Sequence, residues 1–174
     1  MTTTRHAPRV LGVDPGLNTT GYAVLEVSPR GPKLCEAGVI RGTARTSLAA
    51  RVAEIFDGVA DVIASLAPSC MALEELYSHY KRPRTSILMG HARGVICLAA
   101  TKAGLPVVHY SATRIKKTLT GSGRASKPQM QRAVARELGL TAAPEPHDVA
   151  DALAAALCHY YTQRDWAAIA RRRA

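Results

Sequence analysis

PRVLGVDPGLNTTGYAVLEV, Pro8 to Val27, is the stretch from which the fold can be read. Val10-Leu11-Gly12-Val13 is a short apolar run with the length and flanks of a buried strand. It ends on an acid, Asp14. Pro15-Gly16 then turns the chain, and Gly21-Tyr22-Ala23-Val24-Leu25 opens a second strand running back. A carboxylate at the end of a central strand is held by backbone pairing and cannot swing away, as a metal or phosphate site requires. Asp-Pro-Gly is also a good turn sequence in its own right. Asp14 gains a functional meaning only if other acids arrive at the ends of other elements.

Outward from this hairpin the pattern continues. Pro29-Arg30-Gly31-Pro32 makes a turn, and Lys33 to Arg41 reads as a third strand, giving an antiparallel meander. Apolar residues recur at helical spacing from Ser47 to Leu66, and Pro68 stops that helix. Cys70-Met71-Ala72-Leu73 is a second apolar run that ends on acids, Glu74 and Glu75. Neighbours on a strand face opposite sides, so only one of the two can share a site with Asp14. A helix is expected from Pro83 to Ala103, a fifth strand from Leu105 to Tyr110, and helices over Ala112–Leu119 and Lys127–Leu138 separated by Gly121-Ser122-Gly123. A last helix is expected from Pro146 to Trp166. Three antiparallel strands followed by alternating helix and strand predict an α/β fold, a five-stranded mixed sheet with helices on both faces.

The 174 residues, 47% of them hydrophobic, suit a single globular domain. Residues 9–166 are assigned to it, with 1–8 a flexible N-terminus and 167–174 a basic tail ending in Arg171-Arg172-Arg173. Cys35, Cys70, Cys97 and Cys158 form no C-x-x-C pair and lie in or beside apolar runs, which predicts reduced, buried, structural thiols. MTTTRHAPRV lacks the apolar stretch of a signal peptide, and His91 and Arg93 interrupt the apolar run Ile87–Ala100. A cytoplasmic protein without a membrane segment is therefore expected.

Charge is unevenly spread. Lys and Arg number 23 against 13 Asp and Glu, a net +10. Such a balance favours a polyanionic partner, either nucleic acid or an anionic membrane surface. From Ser78 to Arg136 there is no acid, while Lys81, Arg82, Arg84, Arg93, Lys102, Arg114, Lys116, Lys117, Arg124, Lys127, Arg132 and Arg136 all fall there. An ordinary solvated face mixes its signs, whereas basicity of one sign over several elements is a footprint for phosphates. Gly121 to Lys127, GSGRASK, reads either as a backbone-donor cradle for phosphate or as a plain helix connection.

Among the few acids, Asp148 and Asp151 stand three apart at the start of HDVADALAAAL, on one face of the last helix. Asp148 could cap or offset the macrodipole. The alanine-rich face downstream implies close packing that would partly bury Asp151, and a buried acid needs a partner or a metal. If strands one and four are neighbours, Asp14, Glu74, Asp148 and Asp151 converge beneath a basic surface. Such a cluster requires cations, and hard oxygen donors select Mg²⁺ or Mn²⁺. Two such ions about 4 Å apart can activate water and stabilise the leaving oxygen in phosphodiester cleavage.

GVDPGLNTTGYAV, ALEELY, GHARGV, RIKKTLTGSGRASKPQMQ and HDVADALAAAL occur in this order. Together they resemble the RuvC family of Holliday-junction resolvases from Val10 to about Tyr160. The resemblance implies a ribonuclease H-like fold and an endodeoxyribonuclease that resolves four-way DNA junctions in recombination and repair. It implies a homodimer that nicks in symmetric pairs, works with the RuvA–RuvB branch-migration complex, and uses two divalent ions per active site. Asp14, Glu74, Asp148 and Asp151 match the family's metal-binding acids. Lys116 and Lys127 match basic DNA-contacting positions, and Tyr77 an aromatic position that works on bases near the crossover. Lys81, Arg82, Arg84, Lys117 and Arg124 from the acid-free stretch complete the expected DNA-binding set. The chain departs from the family pattern at Glu75, where Gln is common, at His91, and in the basic loop Ser78–Arg84. Some members place His at the third acidic position, so His147 beside Asp148 is an accessory candidate.

Two other functions fit parts of the sequence. Actin-like and sugar-kinase nucleotide binders also begin with a strand, an Asp and a Gly-containing turn, but need a second lobe that this length hardly allows. A module that only holds structured DNA would gain nothing from clustered carboxylates.

Overall fold

The computed structural model describes residues 7–43, 46–76 and 83–163. It holds a five-stranded sheet in the order β3-β2-β1-β4-β5. The strands are β1 (Arg9–Asp14), β2 (Thr19–Ser28), β3 (Gly31–Arg41), β4 (Cys70–Glu74) and β5 (Val107–Tyr110). The helices are α1 (Leu48–Leu66), α2 (Pro83–Lys102), α3 (Ala112–Thr120), α4 (Lys127–Leu138) and α5 (His147–Thr162). β1, β2 and β3 form the expected meander, and β1 pairs parallel with β4, which pairs parallel with β5. Strand one is thus central, flanked by an antiparallel and a parallel neighbour.

The sheet is covered on both sides. Leu11, Val13, Met71 and Leu73 pack against Ile55, Val59 and Ile63 of α1 and Ala92 and Ile96 of α2. Val10, Cys70 and Ala72 pack against Leu153, Ala156 and Leu157 of α5, Ile115 of α3 and Val134 of α4. Alternation along each strand therefore sends Asp14 and Glu74 to the α5 side, with Val10 and Ala72. Glu75 points elsewhere, is exposed, and donates its backbone N–H to the Tyr110 carbonyl at 2.8 Å.

Helix ends follow local chemistry. Ser47, Ser111 and Ser126 cap α1, α3 and α4 through their hydroxyls, and Gly121 and Gly139 close α3 and α4 at φ 77° and 62°. β5 starts two residues later than expected, beyond Pro106, although the Pro106 carbonyl still accepts from Met71 N–H at 2.8 Å. The capping role allowed for Asp148 is not taken: Pro146 is the N-cap of α5 and no side chain caps it. The expectation of four buried thiols holds for Cys70 and Cys158 only. Cys35 is exposed on the edge strand β3 and Cys97 is half-buried; all four are free. Expectations for residues 1–6, 77–82 and 164–174 lie outside the described residues, and with them Tyr77, Lys81 and Arg82.

α5 lies almost on the backbone of the sheet. A Cβ on Gly12 would stand 2.1 Å from the Ala152 carbonyl oxygen and 2.8 Å from the Ala156 Cβ, and one on Gly21 would stand 2.0 Å from the Asp148 carbonyl oxygen. Its second half is pinned by His159, whose Nδ1 is 2.8 Å from the Tyr110 hydroxyl and whose Nε2 is 3.2 Å from Cys70 Sγ. Gly12→Ala is expected to cost roughly 1–3 kcal/mol of unfolding free energy by overpacking against helix backbone. Urea denaturation measures it, and an unchanged midpoint would show that α5 yields freely.

Candidate active site

Asp14 and Glu74 follow the paired residues Val13 and Leu73 of adjacent parallel strands, so both side chains leave the sheet at the same edge. Asp14 is also paired with Gly21, the residue over which the Asp148 backbone sits. α5 thereby brings Asp148 and Asp151, one turn apart on one face, onto the strand-end acids. All four expected acids come together.

Their electrostatics agree with that geometry. The Asp14 pKa is pushed up to about 8, first by burial, then by Asp151, Glu74 and Asp148, with Lys127 opposing. Glu74 is raised by burial and by Asp151 against Lys116, Arg93 and Lys127. Asp151 is raised by burial and Asp148, against Lys127, His147 and Lys116. Burial leads all three rises, and repulsion from the other acids adds to it most at Asp14.

Among the described residues, no three His, Cys, Asp or Glu side chains stand at the mutual spacing that would hold a metal ion. The carboxylates interact electrostatically without sharing a coordination sphere. As a donor set they are all hard oxygen on rigid elements, which fits hard divalent cations.

Two clefts meet at the acids. One, of about 280 Å³, lies between Asp14, Glu74 and Asp151 and the α3–α4 residues Lys116, Lys127 and Met130. The other, of about 450 Å³, runs from Asp14 and Glu74 to Leu76, Met89, Arg93 and Thr113. Lys116 and Lys127 thus share a cleft with the acids. Lys117 and Arg124 are exposed on the α3–α4 side, and Arg84 is exposed in the first turn of α2. His147 is exposed, with Nδ1 3.4 Å from the Gln131 amide nitrogen.

The cradle reading of Gly121 to Lys127 is corrected. The Ser126 hydroxyl accepts from Gln129 N–H, and the Gln129 side chain accepts from Ser126 N–H at 2.7 Å. Pro128 has no N–H, so this closed capping box leaves few main-chain donors for an anion. Sequence reasoning also missed what Arg93 does: its Nη1 donates to the Glu74 carbonyl, a contact between residues nineteen apart that no local pattern announces.

The sequence model for crossover junction endodeoxyribonuclease RuvC matches residues 10–159. The chain belongs to the RuvC family. The crossover junction endodeoxyribonuclease RuvC of Rhodopirellula baltica is 59% identical over 154 residues, 87% of this chain and 85% of that one. Among solved structures, Thermus thermophilus RuvC superposes with TM-score 0.82 at 32% identity, covering 90% of this chain and 96% of that one. The same RuvC in complex with a Holliday junction substrate superposes with TM-score 0.83, covering 91% and 97%. The mixed sheet with its two helical layers is thus the ribonuclease H-like RuvC fold.

For a RuvC chain with this acid cluster, pH and stability are linked through Asp14. Its folded pKa, about 8, lies above the ordinary 3.8, so the folded state binds the extra proton between those values. Stability falls as pH rises through that window. In metal-free buffer, Asp14→Asn is therefore expected to match the parent near pH 4 and to exceed it increasingly towards pH 8. Thermal melts of both proteins across that range check the sign; a constant difference would remove Asp14 from the cluster.

Proposed function

We propose that this chain resolves four-way DNA junctions by paired, symmetric, divalent-metal-dependent nicking, with Asp14, Glu74, Asp148 and Asp151 as its metal-holding catalytic acids. The observation that carries the reading is the meeting of four carboxylates from two strand ends and one helix, in a RuvC chain with a basic surface. A RuvC relative solved with a Holliday junction substrate supports the choice of DNA. DNA binding without cleavage would leave the four acids opposing affinity for phosphate.

Each residue has a task. Asp14 and Glu74, directed by backbone pairing, and Asp148 and Asp151, directed by α5, hold the cations at fixed positions. We assign Mg²⁺ or Mn²⁺, two per site; bound there, they supply an activated water and neutralise the leaving oxygen. Lys116 and Lys127 hold the scissile-strand phosphates against the acids. Arg84, Lys117 and Arg124 bind backbone phosphate further out, with Lys81 and Arg82 beside them in sequence. Tyr77, three residues after Glu74, is assigned to an unstacked base at the crossover. His147 is an accessory that moderates charge at Asp151. The nuclease unit is taken as 9–166, acting in the cytoplasm, where junction DNA and the RuvA–RuvB complex would be met. Among the described residues no helix is long and apolar enough to cross a membrane.

Paired nicks need paired sites, and α2 is the element assigned to a homodimer. Ile87 and Leu98 are exposed on it, at 62% and 51%. A Cβ on Gly94 would meet nothing within 4 Å, and one on Gly90 only the tip of Leu76. Val95 is half-buried against the core and adds little to this outward face.

Two experiments test these assignments. Asp14→Asn is expected to abolish Mg²⁺-dependent junction cleavage while binding the junction in EDTA as tightly as the parent, and more tightly only above about pH 8, where the parent's Asp14 is ionised and repels phosphate. Substantial residual cleavage would return Asp14 to a turn residue. Leu98→Asp is expected to shift the protein from dimer to monomer in sedimentation at micromolar concentration, with paired nicks replaced by single ones. A monomeric parent, or an unaffected dimer, would exclude α2 as the interface.

A further inference from the structure

Among the described residues, one side chain from outside the sheet holds the end of β4. Arg93, half-buried in the middle of α2, donates from Nη1 to the Glu74 carbonyl, and its Nη2 stands 2.5 Å from His109 Nδ1. His109 lies on β5 opposite Leu73, and Tyr110 opposite Glu74. One guanidinium therefore bridges the last residue of β4 and the next-to-last residue of β5, and fixes both to α2. His109 accepts this bond when its ring proton is on Nε2.

We infer that Arg93 is a positioning residue for Glu74, its fork holding the end of β4 so that the Glu74 carboxylate meets the acids of β1 and α5. The inference rests on the active-site reading above and adds to it a residue from the opposite layer of the molecule. β4 ends at Glu74, and the N–H that follows, of Glu75, makes a last bond to the Tyr110 carbonyl. Arg93 adds a second tie on the other side of that peptide, at the Glu74 carbonyl, so the backbone next to the Glu74 side chain is held from both sides. This second tie uses the main-chain oxygen, not the carboxylate. Arg93 is in neither of the ion pairs found among the described residues, Arg9–Glu26 and Arg136–Glu137. Its charge still acts on Glu74, offsetting part of the rise from burial and Asp151. Among the described residues no hydrogen bond or ion pair takes up the carboxylate oxygens, while the backbone beneath them is held. A planar fork can serve two acceptors in different directions; an ammonium on a flexible stem holds neither so firmly.

Such a group acts through the ligand it orients, and groups of this kind change metal affinity or activity by roughly 10–100-fold when removed. Arg93→Lys keeps the charge and loses the fork, Arg93→Gln loses both, and His109→Ala removes one arm. Each is compared with the parent in three measurements: junction affinity in EDTA, Mn²⁺ affinity by calorimetry, and junction cleavage as Mn²⁺ is raised. Arg93→Lys and Arg93→Gln are expected to bind the junction normally in EDTA and to bind Mn²⁺ about tenfold more weakly. Both should recover cleavage at high Mn²⁺, with His109→Ala intermediate. If Arg93→Gln does not fold, Arg93→Lys and His109→Ala carry the test. Parent-like Mn²⁺ affinity in Arg93→Lys would overturn the inference, since charge alone would then suffice. Weakened junction binding with unchanged Mn²⁺ affinity would overturn it in favour of a phosphate contact. Failure of the parent itself to cleave junctions would sink the functional reading, while the Mn²⁺ comparison would still judge Arg93.

Discussion

The site depends on how closely α5 approaches β1 and β2. Only glycine at positions 12 and 21 lets helix backbone come so near, because the Ala152 and Asp148 carbonyl oxygens occupy the space of the missing Cβ atoms. The alanines at 152, 154, 155 and 156 are buried, as a helix lying flat on a sheet requires. This contact decides the height of α5 and the position of its first turn. Asp148 and Asp151 consequently stand over the ends of β1 and β4, not a side-chain layer further away. The His159 bonds to Tyr110 and Cys70 hold the other end of the helix. Burial keeps that ring neutral, with its pKa near 4.

That proximity has an electrostatic consequence. Burial in the cleft, and then repulsion from Asp151, Glu74 and Asp148, drives Asp14 up to about 8. The rest of the protein is strongly basic, yet the basic residues do not neutralise the acids pairwise. Lys116, Lys127 and Arg93 temper them without a pairwise ion pair among the described residues. Basic surroundings attract a polyanion, and the acid cluster attracts cations, so the two halves of the site call for different ligands. The arrangement suits a reaction in which phosphate and metal meet.

Local structure also decides what does not bind. The glycine-serine loop before α4 has the composition of an anion cradle, but Ser126 and Gln129 satisfy each other and Pro128 has no donor. Lys127 is instead delivered to the cleft by the helix that this capping box starts. α2 is divided in the same sense. Ala92, Ile96 and Ala99 are buried, Arg93 reaches the end of β4, and Ile87 and Leu98 face outward.

By itself, the sequence determined the order and type of every described element, because strand runs, helical periodicity, serine caps and glycine stops are local signals. It also determined which acids to watch, since Asp14 and Glu74 end apolar runs and Asp148 and Asp151 share a helical face. Only the tertiary structure decided that β1 and β4 are neighbours, which makes two strand ends one site. It chose Glu74 over Glu75, because strand parity becomes a direction only when the covering helix is in place. It exposed Cys35, which an apolar context had suggested was buried, because β3 is an edge strand. It brought Arg93 to Glu74 across nineteen residues, because that contact depends on how α2 lies against the far side of the sheet. Spacing along the chain carries information about a helix face or a strand face, and none about which faces will meet.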